Sequence, residues 1–345
     1  MSYGAILGII MVLPQIQKSF LWKGKIFLSL YASLAINITL FPMMLWFYFE
    51  FSTYSIVWNL LVIPLMSFLL GAGLLGSLFY WCLPIAKICF FVCVKIMEFY
   101  QWVGGYGSRL PMARIVLGKP KLWMIFFYYF VLVGVILGIQ ITRRKRWLWW
   151  CLLLLCISLF TIRPKGDLRV TMIDVGQGDC IFFQGPNGGT YLIDGGSSDV
   201  EQVGKYRLEP FLKSQGVGAL DYVFVTHGDG DHYNGILEML SRQHVGIKIR
   251  NLVLPYAYEK DIYLRELQEK ANKQGIKVLC MKASDSIFEG GFQIRCLQPQ
   301  KGSALEGNAG SLVLEQRFEE FTMLCTGDIE GEGEEQLTKH LRSEE

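Results

Sequence analysis

The sequence predicts a multi-pass α-helical membrane region followed by a water-soluble α+β domain of layered sheets and helices. Three observations carry this. The 345-residue chain is 52% hydrophobic with a mean hydropathy of +0.33, too apolar for one soluble domain. Its charge is split: residues 1–163 hold 14 Lys and Arg against Glu50 and Glu98, about +12, while residues 164–345 hold 19 against 28 acids, about −9. The periodicity changes at the same place, from long apolar runs to short alternating ones. The domains expected are therefore 1–163, membrane-spanning helices, and 164–345, soluble.

A helix needs about 20 apolar residues to cross a bilayer. Residues 26–49, 56–80 and 122–141 meet that length. Residues 147–162 are shorter, with Trp147, Trp149 and Trp150 as an interfacial belt. Residues 83–103 contain Lys87, Lys95 and Glu98, so they either span or lie flat in the interface. Residues 4–14 are too short to cross alone, and the chain reads as starting partway through a helix, with an incomplete membrane part.

Basic residues set the orientation. Arg143, Arg144, Lys145 and Arg146 form the densest basic loop, and Lys18, Lys23 and Lys25 form another. If both are cytoplasmic, an even number of crossings separates them, and the last span delivers residues 164–345 to the extracytoplasmic side. Arg109, Arg114, Lys119 and Lys121 would then lie outside, which argues against that count. Of nine cysteines, Cys82, Cys89, Cys93, Cys151 and Cys156 sit in apolar stretches, and Cys180, Cys280, Cys296 and Cys325 are dispersed singly. No pair has zinc-ribbon or CxxC spacing, so neither a zinc ribbon nor a disulfide is supported.

After the linker Arg163-Pro164-Lys165-Gly166, the strands expected are 168–175, 180–184, 190–194, 221–226, 249–255, 276–281, 293–298, 311–316 and 321–326. Helical spacing falls at 206–214, 236–242, 261–274 and 332–342. Strands in runs with interspersed helices imply a layered α+β domain. Three strands end on an acid or imidazole flanked by glycine: Asp194, His227 and Asp328. A sheet fixes such positions while the loop leaves them reachable, so three of them suggest one shared site.

The densest chemistry is THGDGDHYNG at 226–235, with His227, Asp229, Asp231 and His232. Alternation would turn 227, 229 and 231 one way and His232 the other, so one loop could bind two metal ions. Imidazole suits zinc, iron or manganese, and added carboxylates favour manganese. Asp328 is the natural bridge between two ions, and one of Asp229 and Asp231 could serve as a general base. Asp194 supports the site or caps a turn. Asn308 and Ser311, in GNAGSLVL, are either site or turn residues. His244 and His340 read as surface.

The loop resembles the HxHxDH motif of the metallo-β-lactamase superfamily, with Asp229 in place of the middle histidine. Together with DVGQGDC at 174–180, LIDGG at 192–196, NAGSLVL at 308–314 and CTGDIE at 325–330, it resembles the ComEC-type competence proteins. SYGAILGII at 2–10 and YSIVWNLLVIPL at 54–65 are similar to the end of that family's channel region. The resemblance implies an αββα sandwich, C-terminally truncated, since the chain stops at Glu345 before the family's HHGS-like segment. It implies a part in DNA uptake during natural transformation, with two divalent metal ions (zinc or manganese) and cleavage of the non-imported strand.

Carried over by position, His227, Asp229, Asp231 and His232 are the metal loop, Asp328 the bridging aspartate, and Asp194 the supporting one. Asp229, Asp231 and Asp328 are thus the candidate catalytic groups, and Asp194 and Asn308 candidate cofactor-binding groups. Asp174, Gln177 and Asp179 fall in the DVGQGD turn, to which no role is assigned. No convincing histidine stands between the metal loop and Asp328 to complete the usual set, since His244 reads as surface; Asn308 lies in that region. The partners implied are single- and double-stranded DNA, membrane lipid and other DNA-uptake proteins, with a homo-oligomer left open.

Charge does not point to nucleic acid. A domain at −9 repels a polyanion unless metals compensate. Lys205 with Arg207, and Arg242 with Lys248 and Arg250, are only modest patches. Two alternatives stand beside the leading reading: a membrane-anchored hydrolase of a small ester, lactam or thioester, and a transport component whose hydrolase-like domain is silent.

Overall fold

The structure, a computed structural model, describes residues 1–344 apart from 21, 23, 143, 144, 163, 164, 257 and 304, and sets aside the side chains of 343 and 344. Lys23, Arg143 and Arg144 of the basic loops, and Arg163 and Pro164 of the linker, therefore lie outside the described residues. The chain divides into two compact units, Met1–Ile162 and Arg163–Glu345.

In the first unit α1 (Ser2–Leu7) and α2 (Leu13–Ser19) run into one another through a π-helical turn, Gly8–Val12. There follow α3 (Lys25–Tyr48), β1 (Glu50–Ser52), α4 (Ser55–Leu78), α5 (Leu83–Arg109), β2 (Arg114–Val116), α6 (Leu122–Ile141) and α7 (Trp147–Ser158). Among the described residues α3, α4 and α6 are long and apolar enough to cross a membrane. The segment 83–103 belongs to a single 27-residue helix, with Lys95 and Glu98 paired at 2.7 Å on its exposed side. The antiparallel β1–β2 ribbon was not expected. Three-residue strands show no alternation, and the apolar composition around them hides what little there is.

Pro42 sits inside α3. It has no N–H to give the carbonyl four residues back, and an orphaned carbonyl is costly in a lipid-like interior. The Tyr128 hydroxyl of α6 donates to that carbonyl, Ile38, at 2.6 Å, and Tyr129 donates to Thr39 O at 3.0 Å. The proline's missing bond thus becomes an interhelix tie.

The second unit has a six-stranded sheet: β3 (Arg169–Met172), β4 (Ile181–Gln184), β5 (Thr190–Ile193), β6 (Ala219–Phe224), β7 (Lys248–Pro255) and β8 (Lys277–Met281), in that order. β3, β4 and β5 pair antiparallel; β5 to β8 are parallel. The crossovers carry α8 (Glu209–Ser214), α9 (Gly230–Ser241) and α10 (Ile262–Lys273). A four-stranded antiparallel sheet follows, ordered β12 (Phe321–Cys325), β11 (Val313–Phe318), β10 (Phe292–Gln298) and β9 (Ser286–Glu289), then α11 (Glu332–Glu344).

Period-two alternation sorts the side chains into layers. On β5, Leu192 packs with α8, α9 and α10, while Tyr191 and Ile193 face the other sheet. Phe183, Phe224 and Phe292 meet between the sheets, each under 2% exposed. Truncating one of them to alanine costs about 3–5 kcal/mol. Leu337 of α11 covers the outer side of the small sheet against Leu297 and Val313. The layers read helix, sheet, sheet, helix, the αββα sandwich expected.

Candidate metal centre

Parallel pairing of β5 with β6 brings their C-terminal ends side by side. Asp194 follows β5 in the left-handed region, φ 55°, and its N–H donates to Phe224 O at 2.9 Å. Thr226 and His227 follow β6. From the second sheet, Gly327 packs against Thr226, where a Cβ would come within 2.9 Å of the threonine Cβ, and so aims Asp328 at the same place.

The loop differs from the sequence expectation in one respect. Asp229 is the N-cap of α9, with extended φ −83° and ψ 142°, and the helix begins at Gly230. Asp231 and His232 are therefore first-turn helical residues, so the alternation expected over 227, 229 and 231 breaks after Asp229. A helix turns 100° per residue where a strand turns 180°, which parts Asp231 from the other two.

His227, His232 and Asp328 each offer a ligand atom, all within 4.8 Å of one another. The rings of His227 and His232 are 4.1 Å apart. Asp328 Oδ2 lies 3.4 Å from His232 Nε2 and 4.0 Å from His227 Nε2, so one oxygen faces both imidazoles. Asp229 Oδ2 is 3.6 Å from His227 Nε2. Asp229 and Asp231 fall outside the three-residue cluster, and Asp231 instead gives its backbone carbonyl to the Asp179 N–H at 3.3 Å. Asn308 lies in the short turn Gly307–Gly310; its carbonyl accepts from Ser311 N, and its side chain is not part of the cluster.

Behind the cluster one buried carboxylate orders both imidazoles. Asp194 accepts from Thr226 N at 2.8 Å, from Thr226 Oγ1 at 2.8 Å and from His232 Nδ1 at 3.0 Å. Having given its only proton to Asp194, the Thr226 hydroxyl accepts from His227 Nδ1 at 3.0 Å. Donor counting thus fixes a proton on Nδ1 of each ring and turns both Nε2 atoms toward Asp328. His227 Nε2 is buried and has no hydrogen-bond partner among the described residues, a lone pair that is costly to leave bare. A divalent cation beside carboxylates would satisfy it, so the donor set fits such an ion.

Burial by itself would lower the His232 pKa. The Asp194 hydrogen bond and the charges of Asp194, Asp328 and Asp231 outweigh it and hold the ring at about 9 without metal. His232 Nε2 therefore carries a proton at neutral pH, and a metal must displace it. Apparent zinc affinity of the full chain is expected to rise about tenfold per pH unit between about pH 6 and 8, with one proton released. Calorimetry in buffers of different ionisation enthalpy measures both; an affinity flat across that range would contradict the assignment.

Sequence reasoning gave no role to Thr226 or Asp179. Asp179 belongs to the turn between β3 and β4, whose Gly178 has φ 156° and abuts Asp231 O, where a Cβ would sit at 2.5 Å. A Cβ on Gly196 would meet Asp231 C at 2.4 Å and His232 N at 2.5 Å. The Asp231–His232 peptide is thus clamped between two glycine turns, DVGQGD and LIDGG. Burial, with Asp194, Asp328 and Asp231 nearby, raises the Asp179 pKa, against the lowering effect of His232. The glycines spaced in DVGQGD were the signal that this turn makes a close approach.

Residues 1–144 match the competence protein family, and residues 173–294 match the metallo-beta-lactamase superfamily. The chain is 26% identical over 320 residues to ComE operon protein 3 of Bacillus subtilis (strain 168), covering 86% of this chain and 40% of that protein. It is 29% identical over 174 residues to competence protein ComA of Neisseria gonorrhoeae, covering 50% and 22%. The chain thus spans less than half the length of either relative. Among solved structures, CmlA, a diiron beta-hydroxylase from Streptomyces venezuelae, overlaps with a TM-score of 0.31 and 16% identity, covering 50% of this chain and 32% of that one. The chain is thus similar to competence proteins over its first part and to the metallo-beta-lactamase superfamily over residues 173–294.

Proposed function

We propose that this chain, a competence-protein segment joined to a metallo-β-lactamase domain, is a membrane component of DNA uptake whose extracytoplasmic domain cleaves phosphodiester bonds of the non-imported strand. The observation that carries the hydrolase reading is the bare, buried His227 Nε2 facing Asp328 beside His232. The competence-protein match over 1–144 supports DNA as the substrate.

Two divalent ions, zinc or manganese, would be held by His227, His232 and Asp328, with Asp229 and Asp231 flanking. Ions held there would supply an activated water and charge neutralisation at the phosphodiester. Asp194, through Thr226, keeps the two imidazoles oriented. Asp229, half-exposed beside His227, is placed to take a proton from an attacking water. Bound cations also offset the −9 domain charge locally, which DNA requires. Partners are DNA, membrane lipid, other DNA-uptake proteins and, in the channel, a further copy of this chain.

The test is cleavage of labelled single- and double-stranded DNA by the full chain in detergent, supplied with manganese or zinc. Metal-dependent cutting supports the reading. Intact DNA in every metal would leave a silent domain or a small-substrate hydrolase.

The extracytoplasmic placement rests on the basic loops. Cys280 is exposed on the second unit. On intact cells a membrane-impermeant maleimide is expected to label wild type but not Cys280→Ser at this position. Labelling only after lysis, with residues 200–300 protected from external protease, would reverse the orientation.

A further inference from the structure

A cleft of about 250 Å³ opens directly from the metal loop. One wall is Pro255, Tyr258 and the first turn of α10, Asp261 to Leu264; the other is Leu305 to Gly307 with Gly310. Its charged groups are Asp229, Asp261 and Glu306 against Lys260, a net negative surround. Lys260 pairs with Glu306 at 3.4 Å across the two walls, and Asp261 is occupied in capping α10 through Tyr263 N and Leu264 N. Yet Ile262 and Tyr263, which line the cleft, remain 65% and 52% exposed, and Tyr233 lies against the Tyr263 ring at 5.7 Å between centroids.

These features select the occupant. A phosphate is repelled by three carboxylates against one ammonium, so the charged part of a substrate belongs at the cations by His227. What enters the cleft is neutral and apolar-faced. The volume suits one flat heterocycle, and a tyrosine with an isoleucine beside it offers a stacking wall. Stacking of this kind tolerates any base, because every base has a π face. A base paired within a duplex cannot reach such a cleft without leaving its stack.

We propose that this cleft takes one unstacked nucleobase of single-stranded DNA, adjacent to the phosphodiester at the metal centre, with Tyr263 and Ile262 as its wall. This rests on the DNA-hydrolase reading above and narrows it to a single strand.

The probes are a thymidine dinucleotide with a single phosphodiester and the two forms of it in which one base or the other is removed to leave an abasic sugar, so that no shift of register is open to the chain. Cleavage by the full chain in detergent with manganese gives KM and kcat, and equilibrium binding is measured on the same chain with calcium in place of manganese, under conditions where no cleavage is seen. One abasic position is expected to raise KM about tenfold, with kcat little changed and the same loss in binding. Tyr263→Ala should remove that positional dependence, and Tyr263→Phe should restore it. Equal KM across the series, or a Tyr263→Ala chain that keeps the positional penalty, would overturn the base site while leaving the hydrolase intact. If no oligonucleotide is cut or bound, the DNA reading fails and takes the base site with it.

Discussion

Asp194→Asn is expected to lower divalent-metal affinity of the full chain by about 100-fold or more, through histidine tautomers rather than through a lost ligand. The carboxylate faces three donors: Thr226 N, Thr226 Oγ1 and His232 Nδ1. An amide has one accepting oxygen and one donating nitrogen. With the oxygen on Thr226 N, the amide N–H₂ points at two groups that were themselves donors. The Thr226 hydroxyl must turn to accept and donate instead to His227 Nδ1, and His232 Nδ1 must become an acceptor. Both rings then carry their proton on Nε2, the atom that should bind metal. A similar exchange in a catalytic triad shows how much one wrong tautomer costs.

Thr226→Val removes the hydroxyl that joins Asp194 to His227 but keeps the Asp194–His232 bond, so it should cost about tenfold, and Thr226→Ser should recover most of it. Zinc titration measures all three variants, and an Asp194→Asn chain with wild-type affinity would refute the relay. Stability offers a second reading. The metal-free His232 pKa stands at about 9 against an ordinary 6.5, so its protonated pair stabilises the fold fully below about pH 6.5 and is lost as pH rises through about 9. That loss should be present in metal-free wild type and flattened in Asp194→Asn.

The relay also shows what the sequence could and could not yield. Apolar run lengths located α3, α4 and α6, and alternation located the strands whose inward residues form both faces of the large sheet. The site loop was legible because His and Asp are rare in so apolar a chain. Thr226 was not legible, since a threonine ending a strand is ordinary by propensity. Its role depends on Asp194, 32 residues away in sequence, standing on the adjacent parallel strand. Asp179 is a similar case, since Gly178 must pass close to Asp231 before the turn reaches the site. The orientation of Asp231 was misread because the helix starts three residues after His227. The β1–β2 ribbon left no periodic trace at all.

Asp328→Ala is expected to abolish metal-dependent DNA cleavage, at least about a hundredfold in kcat/KM, while leaving the second unit folded. One Asp328 oxygen faces both imidazole nitrogens, at 3.4 and 4.0 Å, so it is the group best placed to serve two ions together. Its side chain is 45% exposed and follows β12 rather than lying within it, so removal leaves no cavity between the sheets. Its loss also relieves a repulsion, because Asp328 is among the carboxylates that raise the Asp179 pKa. The metal-free melting temperature should therefore stay near wild type, which separates loss of chemistry from loss of fold. Asp328→Asn, keeping the shape but halving the accepting oxygens, should fall between. In cells, the uptake reading expects the alanine strain to lose transformation or to stop degrading the non-imported strand. Asp328 lies in the second unit, and the helices of the first should assemble normally in that strain. Undiminished cleavage by Asp328→Ala, with normal transformation, would mean the late aspartate takes no part in catalysis and would return the domain to a silent role.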